Sequence, residues 1–466
     1  MNLTISDDQQ SKEAHTPANS HSSPQLPSHT NIKNISTVSL KYENEILNQE
    51  TDEQTLEENL PPTDGKQAFI ILIFCVLINI GVVGIINVNG IYQTFYLKEF
   101  PNDNASLIGL IGTLSLSMML LFSVLATPLS HFIGYRKTTW LGGVICVAGM
   151  VLASFSNNAW QLAITQGFIF GLGAALPFLC SIIMVSIWFD KYRGIGIGTV
   201  NAGAGLGGMA ASPIVQLIID KLGFRWSLRI VAIFSFTTVF ISGFFIKPRR
   251  THFSASSKSS RIFDKAAVVD PFVILVGISC FLESIAFTIP VYYLPTIIND
   301  RGGSDSMSTL SIVLANLGEI VGGLFFGIMA DKFGELNVVL LANSLIAILI
   351  PTVWLLSTGV IPLLILILFY GILIASYLAA IPSSLGRHYG DIRSPGVISV
   401  VFVYFAVGFL SGGPIGGLLF DTSKSQGSYK LIALAISGLN ILSVVVLAFA
   451  YLYIKKKSPV KIGWRL

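Results

Sequence analysis

Long apolar runs constrain this chain more than any other feature. Twelve of them follow one another between residues 68 and 454, and nearly all hold about twenty residues or more. A helix rises about 1.5 Å per residue, so about twenty apolar residues cross the roughly 30 Å hydrocarbon core of a bilayer. Helices also satisfy their own backbone hydrogen bonds, which lipid cannot do for them. The runs therefore predict an all-α, multi-pass protein integral to a lipid bilayer.

The twelve runs fall into two groups of six, separated by a polar, basic stretch. The first group predicts helices at about 68–96, 105–126, 138–155, 160–188, 194–219 and 227–246. The second group predicts helices at about 271–296, 306–330, 336–357, 360–384, 395–420 and 428–454. We therefore expect twelve transmembrane helices in two six-helix halves.

The polar segments divide the chain into five parts. Residues 1–66 are rich in Ser, Asn, Gln and Glu, so they cannot bury enough apolar area to fold, and we expect a disordered acidic tail. The two halves occupy 67–246 and 271–454. A basic linker at 247–270 joins them, and a basic tail follows at 455–466.

Lys and Arg are concentrated in the connections on the side that holds both ends of the chain. Because such an excess marks the cytoplasmic side, we expect both termini, the linker and both tails to be cytoplasmic. Between the candidate membranes, the plasma membrane is favoured over the vacuolar membrane.

Composition excludes several classes of protein. Only 12% of the residues are charged, against about 25% in soluble domains. A nucleic-acid partner is not expected, because it would need a basic soluble surface. The four cysteines lie in apolar runs without a CxxC spacing, so we predict neither a metal site nor a disulfide framework. No cofactor is expected.

The connections after helices two and eight carry related patterns about 200 residues apart. The second reads Gly327-Ile-Met-Ala-Asp331-Lys332-Phe-Gly334. Glycine permits a tight turn, and the charged side chains can pair with a neighbouring helix end in one conformation and release it in another. A plain basic turn on the cytoplasmic side is the alternative interpretation of this segment.

The first connection ends in Gly134-Tyr-Arg136-Lys137, and Ser130 stands where the second connection has its acid. With these two segments the chain resembles the major facilitator superfamily, whose signature is a Gly-x-x-x-Asp-Lys-x-Gly loop. The resemblance implies two parallel six-helix halves and a gating role for the two loops. The serine departs from the signature.

Three further segments resemble the monocarboxylate porter family, and its fungal members in particular. These are residues 186–208, with an aromatic pair, a basic cluster and a glycine-rich helix, together with Asp64-Gly65 and residues 223–229. The glycines of 194–208 also approximate nucleotide-binding patterns, which require a preceding strand that is not predicted. Small residues at these spacings instead let membrane helices approach closely.

Two carboxyls lie inside predicted helices, Glu283 in helix seven and Glu319 in helix eight. Ionisable side chains in a bilayer are costly, so each is a candidate for substrate or proton transfer, with a structural buried carboxyl as the alternative. Proton-coupled monocarboxylate porters carry an acid and an Arg one turn apart on helix eight. By that resemblance Glu319 is the acid, but Gly323 stands where the Arg would be.

Uncharged polar and aromatic side chains complete the predicted substrate pathway. Packing or a place at the membrane interface is the alternative for each aromatic residue. The candidates are Asn87 and Gln93 on helix one, Asn201 on helix five, Asn316 on helix eight, Tyr293 on helix seven, Tyr370 and Tyr377 on helix ten, and Tyr404 on helix eleven.

The resemblance implies a secondary transporter of a small organic solute, either a proton symporter or a facilitator. The predicted pathway suits a neutral or weakly acidic solute, and riboflavin, which some fungal members carry, is one alternative. A non-transporting nutrient sensor is another. The sequence has no P-loop for a primary pump, and an enzyme is not expected because His131 and His388 are isolated.

Overall fold

The apolar runs form helices along the whole described chain. The structure is a computed structural model that describes residues 61–101, 103–249, 268–357, 359–425 and 428–457. Most of the predicted tails and of the basic linker lies outside these residues, so the division into five parts stays a prediction.

The helices of the first half are labelled α1 to α6. They span Lys66–Glu99, Ala105–Ser123, Tyr135–Ala153, Ala159–Trp188, Arg193–Leu222 and Phe224–Phe245. The helices of the second half are labelled α7 to α12. They span Pro271–Asp300, Asp305–Phe333, Glu335–Leu356, Val360–Tyr389, Gly396–Ser425 and Lys430–Lys457, with α10 and α11 inside one helical stretch, Val360–Ser425.

Eleven helices of the described chain are long and apolar enough to cross a membrane. The twelfth, α3, also has 19 residues, but it begins with the polar sequence Tyr135-Arg136-Lys137, which lowers its mean hydropathy. The architecture is therefore the predicted all-α membrane fold, and the helices are consistent with the predicted count of twelve.

Two helices depart from the continuous form expected for them. Helix α1 consists of three segments, Lys66–Gly81, Val83–Asn87 and Asn89–Glu99. Its middle segment packs so closely on α5 that a Cβ atom on Gly84 would lie 2.6 Å from the Cα of Gly207. Helix α4 contains a π-helical stretch at Ala163–Ile169, a local irregularity that hydrophobic periodicity does not reveal.

The two predicted repeat loops share one backbone conformation. Gly134, between the short helix Ala126–Ile133 and α3, has a φ of +89°, and Gly334, between α8 and α9, has a φ of +91°. Because only glycine adopts this region readily, the residue type and the tight turn are linked at both places. The two halves thus use the same turn at corresponding positions.

The halves meet along two pairs of helices. Helix α5 packs along α8, and α2 packs along α11. Small residues line the first contact, where a Cβ atom on Gly323 would lie 2.9 Å from the carbonyl oxygen of Gly198 and one on Gly327 would lie 2.9 Å from that of Gly194. This close approach agrees with the packing role predicted for the glycine-rich helix.

Candidate functional site

A cluster of three polar side chains joins the halves near the middle of α8. The Nδ2 atom of Asn87, on α1, donates to Oε2 of Glu319 at 2.8 Å and to Oδ1 of Asn316 at 3.0 Å. The latter two residues lie one turn apart, so they share a face of α8. One amide nitrogen carries two hydrogens and can serve both acceptors.

The neighbouring backbone holds Asn316 in place. Its Nδ2 atom donates to the carbonyl oxygen of Ile312 at 2.8 Å, one turn earlier on α8. Across the interface, a Cβ atom on Gly205 of α5 would lie 2.6 Å from the carbonyl oxygen of Asn316. The site is therefore built on the close contact between α5 and α8.

A cavity of about 30 Å³ adjoins the cluster. Four of the predicted residues line it, Asn87, Asn316, Glu319 and Tyr370, and the rest of the wall is largely apolar and comes from α7, α8 and α10. A cavity of this size has room for a few atoms only. Of the described lining residues only Asn87 belongs to the first half, so the cavity lies at the edge of the second half.

Gln93 and Asn201 do not line the cavity, although both are buried. The Nδ2 atom of Asn201 has no hydrogen-bond partner. Tyr293 lies beside Gln93, and its hydroxyl donates to the carbonyl oxygen of Gly413 on α11 at 3.0 Å. The structure therefore places these three predicted residues in buried packing outside the cavity wall.

Three further predicted residues lie within the second half, away from the cavity wall. Glu283 on α7 is 2% exposed and faces α9, and Tyr377 bonds to residues of α7 and α12. Tyr404 on α11 packs against Gly277, where an added Cβ atom would lie 2.5 Å from its ring. These side chains do not meet the cluster around Glu319.

A buried network in the first half was not among the sequence predictions. Tyr96 donates to Oε1 of Gln166 at 2.8 Å, Nε2 of Gln166 donates to Oδ1 of Asn89 at 2.9 Å, and Nδ2 of Asn89 donates to Ser115 at 3.0 Å. Gln166 lies in the π-helical stretch of α4. In the sequence, the only indication of this network was the single amide side chain of Gln166 inside an apolar run.

The second repeat loop ties the halves together at one end of the bundle, called the Asp331 face. Oδ2 of Asp331 accepts from the backbone N–H of Ile195, in the first turn of α5, at 3.3 Å. Its Oδ1 accepts from Arg387 of α10 at 3.1 Å, and the Nε of Arg387 lies 2.8 Å from Oε1 of Glu335. A carboxylate at a helix N-terminus is stabilised by the exposed N–H groups and the helix dipole.

The first repeat loop makes no corresponding link to the second half among the described contacts. Ser130 donates to the carbonyl oxygen of Thr127 within its own helix, at 2.7 Å. The guanidinium of Arg136 lies over the rings of Trp140 and Phe244 at 4.5 and 4.6 Å, both in the first half. The two repeat loops are therefore alike in backbone and different in contacts.

An ion pair joins the halves at the opposite end, called the Lys98 face. Nζ of Lys98, in the last turn of α1, lies 3.0 Å from Oδ1 of Asp305, the first residue of α8. The two side chains are 61% and 64% exposed. Exposed pairs of this kind contribute about 0.2–1 kcal/mol, so this face is held less firmly than the Asp331 face.

No group of three or more His, Cys, Asp or Glu side chains in the described ranges could hold a metal ion. The chemistry available at the central site is therefore hydrogen bonding by two amides, one carboxyl and a phenol, inside an otherwise apolar wall. Such a site can bind a polar group and exchange a proton.

The chain matches a family described as the Major Facilitator Superfamily over residues 69–315 and 276–465. The MFS-type transporter pynF of Aspergillus niger is 29% identical, over 79% of this chain and 85% of that protein. The probable transporter MCH2 of Saccharomyces cerevisiae is 26% identical, over 78% of each chain. The agnestins efflux protein AgnL12 of Paecilomyces divaricatus is 23% identical, over 78% of this chain and 84% of that protein.

Proposed function

Because the chain belongs to the Major Facilitator Superfamily, we propose that this membrane transporter moves a small organic solute by alternating access between its two halves. The observation that carries the proposal is the cluster of Asn87, Asn316 and Glu319, which spans the interface of the halves. Transporters built from repeated halves bind their solute near the bilayer midplane at that interface.

The buried amide of Asn201 supports an alternating mechanism. The Nδ2 atom of Asn201, which lacks a partner, is expected to destabilise the described arrangement, since leaving a buried polar group unpaired costs about 1–3 kcal/mol. Separation of the halves would let water or solute reach this atom. The described arrangement is therefore suited to being one of several states.

The lining favours a neutral or weakly acidic solute with an apolar or aromatic part. No Lys, Arg or His is among the described lining residues. Gly323, which stands where the monocarboxylate porters have an Arg, packs on Gly198 of the other half, so a long side chain has no room there. A small strong anion would lack its usual bidentate partner at this site.

We place the chain beside the fungal monocarboxylate porters and assign proton coupling to Glu319. Its carboxyl is bonded to Asn87 of the other half, so its protonation state and the contact between the halves are linked. Riboflavin is a candidate solute. In this proposal both termini are cytoplasmic and the membrane is the plasma membrane.

Export of an organic metabolite is a second candidate, favoured by the relative that is named as an efflux protein. A non-transporting nutrient sensor is a third. Export differs from uptake in the direction of net solute movement. A sensor differs from both because it moves no solute. The fold and the central cluster are common to all three.

A flux measurement tests the proposal. Cells that lack the chain, cells that overexpress it and cells that express Asn316→Leu at the same level are compared over radiolabelled organic acids, vitamins and polyols. We expect a change in the cellular content of at least one solute with the wild-type chain, upward for uptake and downward for export, and no change with the variant. Identical contents in all three strains across the panel would favour the sensor.

A further inference from the structure

The second carboxyl of the membrane region, Glu283, lies inside the second half and not at the interface of the halves. It is 2% exposed, and its neighbours come from α9, α10 and α12. The amide of Asn343 on α9 lies beside its carboxyl. Tyr370 and Tyr377 of α10 are also close to it. The central cluster around Glu319 makes no use of this group.

A network of hydroxyls surrounds the Asn343 amide. Ser279 of α7, Tyr377 of α10 and Ser443 of α12 lie 2.6 to 2.9 Å from one another. Nδ2 of Asn343 donates to the hydroxyl of Tyr377 at 3.2 Å and to that of Ser443 at 3.3 Å. These bonds orient the amide, so that its Oδ1 atom is left free to accept.

Three acceptor atoms at this place have no donor. Neither carboxyl oxygen of Glu283 nor the Oδ1 atom of Asn343 has a hydrogen-bond partner. An ionised carboxylate can only accept, and an unpaired charge this deep in the protein is costly. No Lys, Arg or His of the described residues pairs with Glu283. A proton on the carboxyl removes the charge and supplies one donor, which the Oδ1 atom of Asn343 can accept.

The first half shows that packing alone does not require an acid here. The two repeat turns, Gly134 and Gly334, lie 200 positions apart. At that offset Asn79, which donates to the hydroxyl of Ser181 on α4 at 2.9 Å, corresponds to Ser279, which links α7 to Tyr377 of α10. Glu283 then corresponds to the apolar Val83, so the carboxyl of Glu283 is a feature of the second half alone.

Tyr370 belongs to the cavity wall and also lies near Glu283. Its hydroxyl donates to the carbonyl oxygen of Ala286 at 3.4 Å, one turn beyond Glu283 on α7. The titratable groups that face the carboxyl are Cys280 on its own helix and the two tyrosines of α10. None of them is a basic side chain that would hold a carboxylate.

We propose that Glu283 is a proton-binding site of the second half, separate from Glu319, and that its proton exchanges with the central cavity past Tyr370. When the cavity is filled by water, the neutral carboxyl gives its proton to that water, which becomes hydronium, and is left as a carboxylate. Before the halves close, the carboxylate takes a proton back from hydronium in the cavity, which becomes water again. The ligand is H⁺ and the groups that bind it are the carboxyl and the Asn343 amide. The site does not depend on the identity of the transported solute.

Infrared spectroscopy of the full chain in lipid bilayers tests the site without any solute. A protonated carboxyl has a carbonyl stretch that a carboxylate lacks. At neutral pH we expect this band in the wild type. Glu283→Gln should remove the part of the band that belongs to the Glu283 carboxyl, and Glu319→Gln should leave that part in place. An unchanged band in Glu283→Gln, with the variant shown to be folded by its thermal transition, would overturn the proposal.

Two further variants cover the network and the route. Asn343→Leu keeps the carboxyl and removes its acceptor, so the Glu283 part of the band is expected to move to higher frequency, and this measurement also serves if Glu283→Gln does not fold. Tyr370→Phe is expected to change the rate at which the band shifts in deuterated water by severalfold. A Glu283 band that stays at its frequency in Asn343→Leu excludes the amide as partner, and an unchanged exchange rate in Tyr370→Phe excludes the route. Solute flux is measured in parallel, so failure of this site and failure of the proposed transport are distinguishable.

Discussion

Asn87 links Glu319 to the first half through a hydrogen bond. Glu319 stands out in the sequence because it is a charge inside an apolar run. Asn87 does not, because helix one holds several polar residues and spacing alone cannot choose among them. The structure selects it through one nitrogen atom that serves both Glu319 and Asn316. The functional role of all three residues stays a proposal.

Replacement of Glu319 by Gln is expected to abolish solute accumulation driven by a proton gradient while solute exchange continues. The glutamine oxygen can still accept from Asn87, so the contact between the halves is kept, but the side chain can no longer release a proton. Uptake and counterflow of the identified solute in proteoliposomes, each with and without an imposed pH gradient, measure the two activities separately.

The matched control is Glu99→Gln. Glu99 is the last residue of α1, and it is exposed and about three helical turns beyond Asn87. This variant should behave as the wild type in both assays. Normal accumulation in Glu319→Gln would remove that residue from the coupling mechanism.

At the scale of elements, the contact between α5 and α8 decides how closely the halves can approach. The sequence shows a glycine-rich helix and predicts close packing, but it does not show the partner. The partner is α8, and the approach is closest where Gly205 faces the backbone of Asn316 and Gly198 faces Gly323. The same contact therefore sets the position of the site.

Gly205→Ala is expected to lower stability by about 1–3 kcal/mol, the usual effect of overpacking a tight interface. The added Cβ atom would lie 2.6 Å from a carbonyl oxygen of α8, and a backbone atom cannot rotate away. Thermal unfolding of the purified chain, followed by exposure of its buried cysteines, gives the change in transition temperature.

Gly438→Ala on α12 is the control, because nothing lies within 4 Å of a Cβ atom added there. Alanine in a helix is favoured over glycine by about 0.5–1 kcal/mol, so this variant should match or exceed the wild type in stability. Equal transition temperatures for the two variants would show that the contact between α5 and α8 accommodates the added methyl group without loss of stability.

At the scale of the whole molecule, the two ends of the bundle are held by different contacts. The Asp331 face uses a carboxylate that is 15% exposed and bonds to a helix end of the other half. The Lys98 face uses an exposed ion pair. Hydrogen bonds to charged groups contribute about 1.5–3 kcal/mol, against about 0.2–1 kcal/mol for an exposed pair.

Asp331→Asn is therefore expected to shift the molecule toward states open at the Asp331 face, by roughly tenfold to a hundredfold at about 1.4 kcal/mol per factor of ten. Spin labels at Phe132 and Phe333, both exposed and in different halves, report the separation at that face. Lys98→Gln should shift the balance between faces by less, roughly fivefold at most.

Glu335→Gln is the control for this comparison. It removes the other carboxyl partner of Arg387 but leaves the bond from Ile195 to Asp331 in place. The label separation should then stay close to that of the wild type. A larger shift in Lys98→Gln than in Asp331→Asn would show that the Lys98 face, and not the Asp331 face, is held more firmly.

The sequence by itself determined the membrane fold, the positions of the helices to within a few residues and the superfamily. The physical reason is that bilayer thickness and backbone hydrogen bonding act on each apolar run separately, so a local pattern suffices. The glycine turns of the two repeat loops could also be predicted from the sequence, because only glycine readily adopts the positive φ that these turns have. The break in α1 and the π-helical stretch of α4 could not be predicted, since the hydrophobic pattern of a run does not reveal them.

Only the tertiary structure decided which polar residues meet. Asn87 and Glu319 are more than two hundred positions apart, and no spacing rule connects side chains on helices from different halves. For the same reason, sequence alone could not distinguish the surroundings of Glu283 and Glu319, since each is a carboxyl inside an apolar run. Packing placed Glu319 at the interface of the halves and Glu283 inside the second half, because the face that each helix turns inward depends on its neighbours and not on its own composition.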